Sequence, residues 1–122
     1  MTALMSDPAE HKTSTEAEKA WAWMKKTQTR TMQEWLKIGQ GFLTGRAWAM
    51  RRAGVNQPMG RGYNEFFSEW MRTYKLDDVD QADRSNLFKL MDSPAIMEWR
   101  NGLPDDKRKN LNHPTTILRA YK

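Results

Sequence analysis

Trp21, Met24, Gln28, Thr31, Trp35, Ile38, Phe42, Gly45 and Ala49 recur at alternating intervals of three and four, with Met32, Leu36 and Leu43 widening the stripe. This spacing puts them on one helical face sustained for about eight turns. The stripe is weakest from Lys25 to Thr31, where threonines replace large apolar residues, so the pattern admits one long helix or two in line. Thr15 and Glu18 have the capping-box spacing, in which the hydroxyl accepts an amide of the first turn and the carboxylate reaches back. The first helix is expected to start there. Residues 1–13 are small and polar, contain Pro8 and lack an apolar period, so a flexible leader is expected, with Met5 as an alternative start. Residues 14–122 then form the single helical domain.

Ala53-Gly54 supplies a helix end with its terminating glycine, and Val55 to Gly62 reads as an ordered loop. Tyr63, Phe66, Phe67, Trp70, Met71 and Tyr74 then give a strongly aromatic helical face that ends near Lys75. Asp80 and Asp83 can cap a short helix carrying Leu87, Phe88, Leu90 and Met91, and Ser93-Pro94 opens the next, carrying Ile96, Trp99 and Leu103 and closed by Gly102. Pro104 opens a brief turn to Leu111. Asn112-His113-Pro114 starts a last helix with Ile117, Leu118 and Tyr121. No segment alternates with a two-residue period for long enough to be a strand. The expected fold is all-α, a single compact domain of five to seven helices whose short C-terminal helices close the core. Its expected buried anchors are Trp35, Phe42, Phe67, Trp70, Leu87, Leu90, Trp99 and Leu118.

Composition narrows the function classes. The chain has 122 residues, room for one core but not two. It has no cysteine, which excludes disulfides, thiolate metal sites and a cysteine nucleophile, and His11 and His113 cannot by themselves hold a zinc. The longest apolar run, Ala20 to Met24, is five residues. A membrane-spanning helix needs about 20. The first 15 residues contain Asp7, Glu10 and Pro8 and no apolar stretch, unlike a secretory signal, so the expected compartment is the cytoplasm.

The formal net charge of +5 is unevenly placed. Residues 1–36 and residues 65–122 are each neutral, whereas residues 37–64 hold Lys37, Arg46, Arg51, Arg52 and Arg61 with no carboxylate between Glu34 and Glu65. Four of those five bases are arginine, whose planar fork suits phosphate and carboxylate. An anionic partner is the natural expectation, although unpaired arginines on a solvated helix also serve simply to keep a small domain soluble.

Candidate catalytic groups are thin. Asp77, Asp78, Asp80 and Asp83 cluster at a linker and a helix start, where acids complement the helix dipole. Read as a calcium loop from Asp78, the cluster puts Asp83 at the sixth position and Lys89 at the twelfth, where glycine and glutamate are required. Gly39-Gln40-Gly41 and Gly60-Arg61-Gly62 lack the lysine and hydroxyl of a phosphate loop. His113 before Pro114 reads as a helix cap rather than a general base. Lys107-Arg108-Lys109 follows Asp105-Asp106, which cancels much of its field. A helix-turn-helix register with Gly54 at the ninth position fits only in its first half. No catalytic residue, metal site or cofactor is assigned.

Asn56-x-Pro58-x-Gly60-x-x-Tyr63-x-x-Phe66, with Trp70, Asp83-Arg84-Ser85-x-Leu87, Trp99-Arg100 and Leu111-Asn112-His113-Pro114, resembles a group of small uncharacterised helical proteins of bacteria, prophages and plasmids over roughly residues 34–121. The resemblance carries no activity and transfers no catalytic residue. It implies a mobile-element origin, in which small proteins often regulate DNA or inhibit host machinery.

The expected function is therefore that of a small nucleic-acid-associated protein, DNA-binding or regulatory, with Lys37, Arg46, Arg51, Arg52 and Arg61 on phosphates and Asn56 and Gln57 available for readout. The alternative is a noncatalytic protein-binding module, such as a phage-encoded inhibitor that docks on an acidic protein surface. An apolar centre beside the arginines separates the two, because a stable protein interface needs one and a phosphate-binding surface does not. Trp21 and Trp23 lie about 200° apart around a helix. Both cannot face one core stripe, so Trp23 is expected to be exposed unless a partner or a second copy of the chain covers it.

Overall fold

A computed structural model describes residues 5–121, and all seven elements among them are α-helices. They are α1 (Pro8–Thr27), α2 (Met32–Ala53), α3 (Arg61–Thr73), α4 (Gln81–Met91), α5 (Pro94–Asn101), α6 (Asp105–Arg108) and α7 (Pro114–Tyr121). None is long and apolar enough to cross a membrane.

The first helix begins seven residues before Thr15. Asp7 is its N-cap, accepting from the Ala9 amide at 2.8 Å, and Pro8 occupies the first turn, where its missing N–H costs nothing. Thr15, the expected cap, instead lies within the helix and donates its hydroxyl to the Lys12 carbonyl. Residues 8–13 therefore belong to α1, and Met5 is buried at 2 % exposure, so the expected flexible leader does not extend through them. Residues 1–4 of that leader lie outside the described residues.

The long amphipathic face breaks in two. Gln28 ends α1 in the left-handed region at φ 56°, and Thr31 starts α2 by accepting from the Glu34 amide at 3.2 Å. Gly54, at φ 69°, closes α2 as the sequence implies: its amide donates to the Arg51 carbonyl and that of Val55 to the Met50 carbonyl, satisfying two orphan acceptors. Asp80 caps α4 through the Ala82 amide, and the His113 ring nitrogen Nδ1 accepts from the Thr115 amide at 3.1 Å at the start of α7.

The α1–α2 hairpin is the scaffold, with the most extensive contact between any two helices. The close approach is carried by Gly41, whose Cα hydrogens face Ala17 of α1 with no room for a methyl group. On its other side α2 receives α3 and α4, α5 packs against α4, and α7 packs against both α4 and α5. Trp70 lies flat over Gly45, with ring contacts to Phe42 at 5.6 Å and to Phe67 at 5.7 Å. Its Nε1–H donates to Ser14 Oγ at 3.1 Å, and that hydroxyl donates in turn to the Met5 sulfur, so both buried polar groups are satisfied.

Of the expected anchors, Trp35, Phe42, Trp70, Leu87 and Leu90 are fully buried, while Phe67, Trp99 and Leu118 are only partly covered. Trp99 instead meets the Tyr121 ring edge-on at 5.3 Å at the rim of the α5–α7 pair. Met5, Met24, Ile38, Leu76, Val79 and Ile117 complete the core. Trp21 is buried and Trp23 is 43 % exposed, as their angular separation on α1 requires.

Candidate binding surface

Two of the five cations of residues 37–64, Arg46 and Arg51, find carboxylates brought from distant parts of the chain. Arg46 forms a two-pronged pair with Asp92 at the end of α4, with Nη1–Oδ2 at 3.0 Å and Nη2–Oδ1 at 2.7 Å, and lies 4.7 Å above the Phe88 ring centre. The hydrogen bond from Arg46 holds the Asp92 carboxyl below its usual range and raises the guanidinium above its own. Arg51 places Nη2 within 2.8 Å of both Glu10 carboxylate oxygens in the first turn of α1. Lys37 pairs with Glu34 at 3.3 Å one turn back along α2. Lys37 and Arg46 also lie about 180° apart around α2. The three bases do not form one face.

Arg52 and Arg61 are differently placed. Arg52 has no carboxylate partner among the described residues, and its guanidinium lies 5.4 Å from the Phe66 ring centre and 5.8 Å from that of Trp48. Arg61, with a side chain 94 % exposed, makes one loose contact at 3.3 Å to Glu65. These two residues stand at the ends of the turn joining α2 to α3. Asn56 and Gln57 lie between them, exposed, with Val55 at 39 % and Met59 at 62 % exposure. The turn is therefore mixed in character, cationic at its ends and amide-bearing and apolar between them.

The polar face of α3 extends this surface. Arg61, Asn64, Glu65, Ser68 and Arg72 line a shallow cleft of about 580 Å³ beside Gly60. Asn64, Ser68 and Arg72 were not among the sequence-derived candidates. Their signal was available, because they fall at three, seven and eleven residues from Arg61, opposite the aromatic stripe.

Three of the four acids of the cluster, Asp78, Asp80 and Asp83, are taken up by structure. Asp78 accepts from Trp21 Nε1 and Lys25 Nζ, each at 2.7 Å, tying the loop after α3 to the end of α1. Burial pushes its carboxyl upward, but those two hydrogen bonds outweigh burial and leave it below the usual range. Asp80 caps α4, and Asp83 lies 3.5 Å from His113 Nε2. In the second basic knot, Arg108 pairs with Asp105 and donates to the Asn101 carbonyl, while Lys107 and Lys109 stay exposed.

The depressed carboxyls give an acid-side prediction. Asp78 and Asp92 bind protons less readily folded than unfolded, so their contribution is full above the unfolded-chain value of about 4 and fades as pH falls through their lower folded-state values. Thermal midpoints should be level from about pH 7 to pH 5 and fall below about pH 4. Asp92→Asn should start lower and fall less steeply. An Asp92→Asn profile parallel to the parent's would remove this pair from the acid response.

No protein-family model, curated protein or solved structure matches the chain.

Proposed function

We propose that this chain is a noncatalytic binding protein that docks an acidic protein surface on the Gly54–Gly60 turn and the adjoining helix ends. The observation that carries this reading is the exposure of Met59 and Val55 between Arg52 and Arg61. Methionine and arginine are enriched in protein interfaces, and an apolar centre ringed by polar groups is the usual anatomy of one. The internal pairing of Lys37, Arg46 and Arg51 supports it as well, since three of the five bases are already neutralised. The resemblance to proteins of prophages and plasmids agrees with an inhibitor or regulator.

The test is capture of partners from lysate by the full chain after complete nuclease digestion. A stoichiometric protein partner is expected, weakened at least about tenfold by Met59→Asp, as for loss of a central contact. Disappearance of all partners on digestion would overturn the reading.

A second reading, nucleic-acid association, is favoured by the net charge of +5 and by the carboxylate-free run from Lys37 to Asn64. With Arg52, Arg61 and Arg72 as the contacts, log K against log salt should slope about −2 to −3 on duplex DNA. All five bases of residues 37–64 on phosphates would give a steeper slope. Arg52→Ala/Arg61→Ala should abolish a low-salt gel shift if this reading is right, and no shift at low salt would end it.

A further inference from the structure

The outer face of the α1–α2 hairpin, remote in sequence from the α2–α3 turn, carries the exposed Trp23. Trp23 belongs to an open cleft of about 430 Å³ lined by Glu16, Lys19 and Ala20 of α1 and Glu34 and Lys37 of α2. Glu16, Lys19 and Trp23 fall on one side of α1 at intervals of three and four, so the two charges and the indole form a continuous strip. Neither Glu16 nor Lys19 has an ion-pair partner among the described residues. We infer that this cleft is a self-association surface, in which Trp23 of one copy enters the cleft of a second copy related by a two-fold axis.

The argument for a second copy rests on charge. A two-fold interface brings one patch against itself, so it must be self-complementary. The α2–α3 turn fails that condition because its charged ends are both arginine. The Trp23 cleft meets it, with Glu16 and Lys19 unpaired among the described residues and Glu34 and Lys37 held only by a 3.3 Å contact to each other, all around one apolar centre. Each copy can therefore set carboxylates against the other's ammonium groups while two indoles bury each other, and aromatic pairs gain beyond the area they cover. A single exposed indole per copy makes this a small interface, below the roughly 1,600 Å² of standard complexes, so the association is weak and concentration-dependent.

Sedimentation equilibrium of the full chain from about 10 μM to about 1 mM should show the mass rising from one chain toward two. Trp23→Ala, at an exposed position, should keep the helical circular dichroism and weaken association at least about tenfold. The charge argument has its own test. Lys19→Glu/Lys37→Glu and Glu16→Lys/Glu34→Lys each make the cleft single-signed, so each variant alone should be monomeric and an equimolar mixture should dimerise. A parent that stays monomeric over the whole range would overturn the inference. So would dimers that persist in Trp23→Ala, or a charge-swapped mixture that fails to pair although both members are folded.

Discussion

Trp70→Ala is expected to destabilise the protein by about 3 to 5 kcal/mol, the largest loss from any single truncation in this core. Trp70 is fully buried, and three neighbouring rings, Phe42, Phe67 and Tyr74, rest against it within 5.8 Å between centres. Its removal opens a cavity floored by Gly45, which has no side chain to fill it. It also deprives Ser14, which is wholly buried, of the indole N–H it accepts. Trp70→Phe should recover most of the packing while still losing that hydrogen bond, so its cost should fall between parent and alanine. Chemical denaturation of the three proteins checks the order. A Trp70→Ala midpoint equal to the parent's would mean that the ring does not hold the core.

Gly41→Ala is also expected to be damaging, even though alanine is favoured over glycine inside a helix by about 1 kcal/mol. The added methyl would overlap the Ala17 methyl across the α1–α2 contact. Both groups are fixed to their helices, so no rotamer relieves the clash and the helices must move apart. Overpacking of this kind costs about 1 to 3 kcal/mol, and a shift that disturbs the whole hairpin belongs at the upper end. Gly39→Ala is the internal control. There the obstacles are the Met91 sulfur at 2.8 Å and its Cγ at 2.9 Å, both on an unbranched side chain that can turn about its inner torsions, so the propensity gain should offset most of the strain. Thermal melts should place Gly41→Ala well below the parent and Gly39→Ala near it. Similar values for the two would refute the close-contact explanation.

Much of this architecture was legible in the sequence because it rests on local signals. The αL glycine at Gly54, the Asp80 cap and the proline starts of α5 and α7 are each read from one or two residues. The start of α1 was misread for an equally local reason. Its first turns carry almost no apolar residues, so periodicity pointed to Thr15, whereas Asp7-Pro8 held the true cap signal. The partial exposure of Phe67, Trp99 and Leu118 was not legible, because it depends on which neighbouring helix covers each face.

The candidate surface was the least legible part. Sequence counting found an unneutralised basic segment, but Glu10 and Asp92 cross 41 and 46 positions of chain to neutralise Arg51 and Arg46. Such pairings follow from tertiary topology and leave no trace in local composition. What did survive was the expectation for Trp23, since the angle between two residues two apart on a helix is set by geometry alone.

The Met5–Ser14–Trp70 relay has a consequence for the order in which the molecule assembles. The α1–α2 contact closes through a four-residue turn, Gln28 to Thr31, and so is entropically cheap. The bond from Trp70 to Ser14 joins residues 56 apart and needs α3 already seated on α2. The hairpin is therefore the early native substructure, and locking of the N-terminal segment is a late event that coincides with α3 docking. In hydrogen exchange, the first turns of α1 should open together with α3 and not with the second half of their own helix.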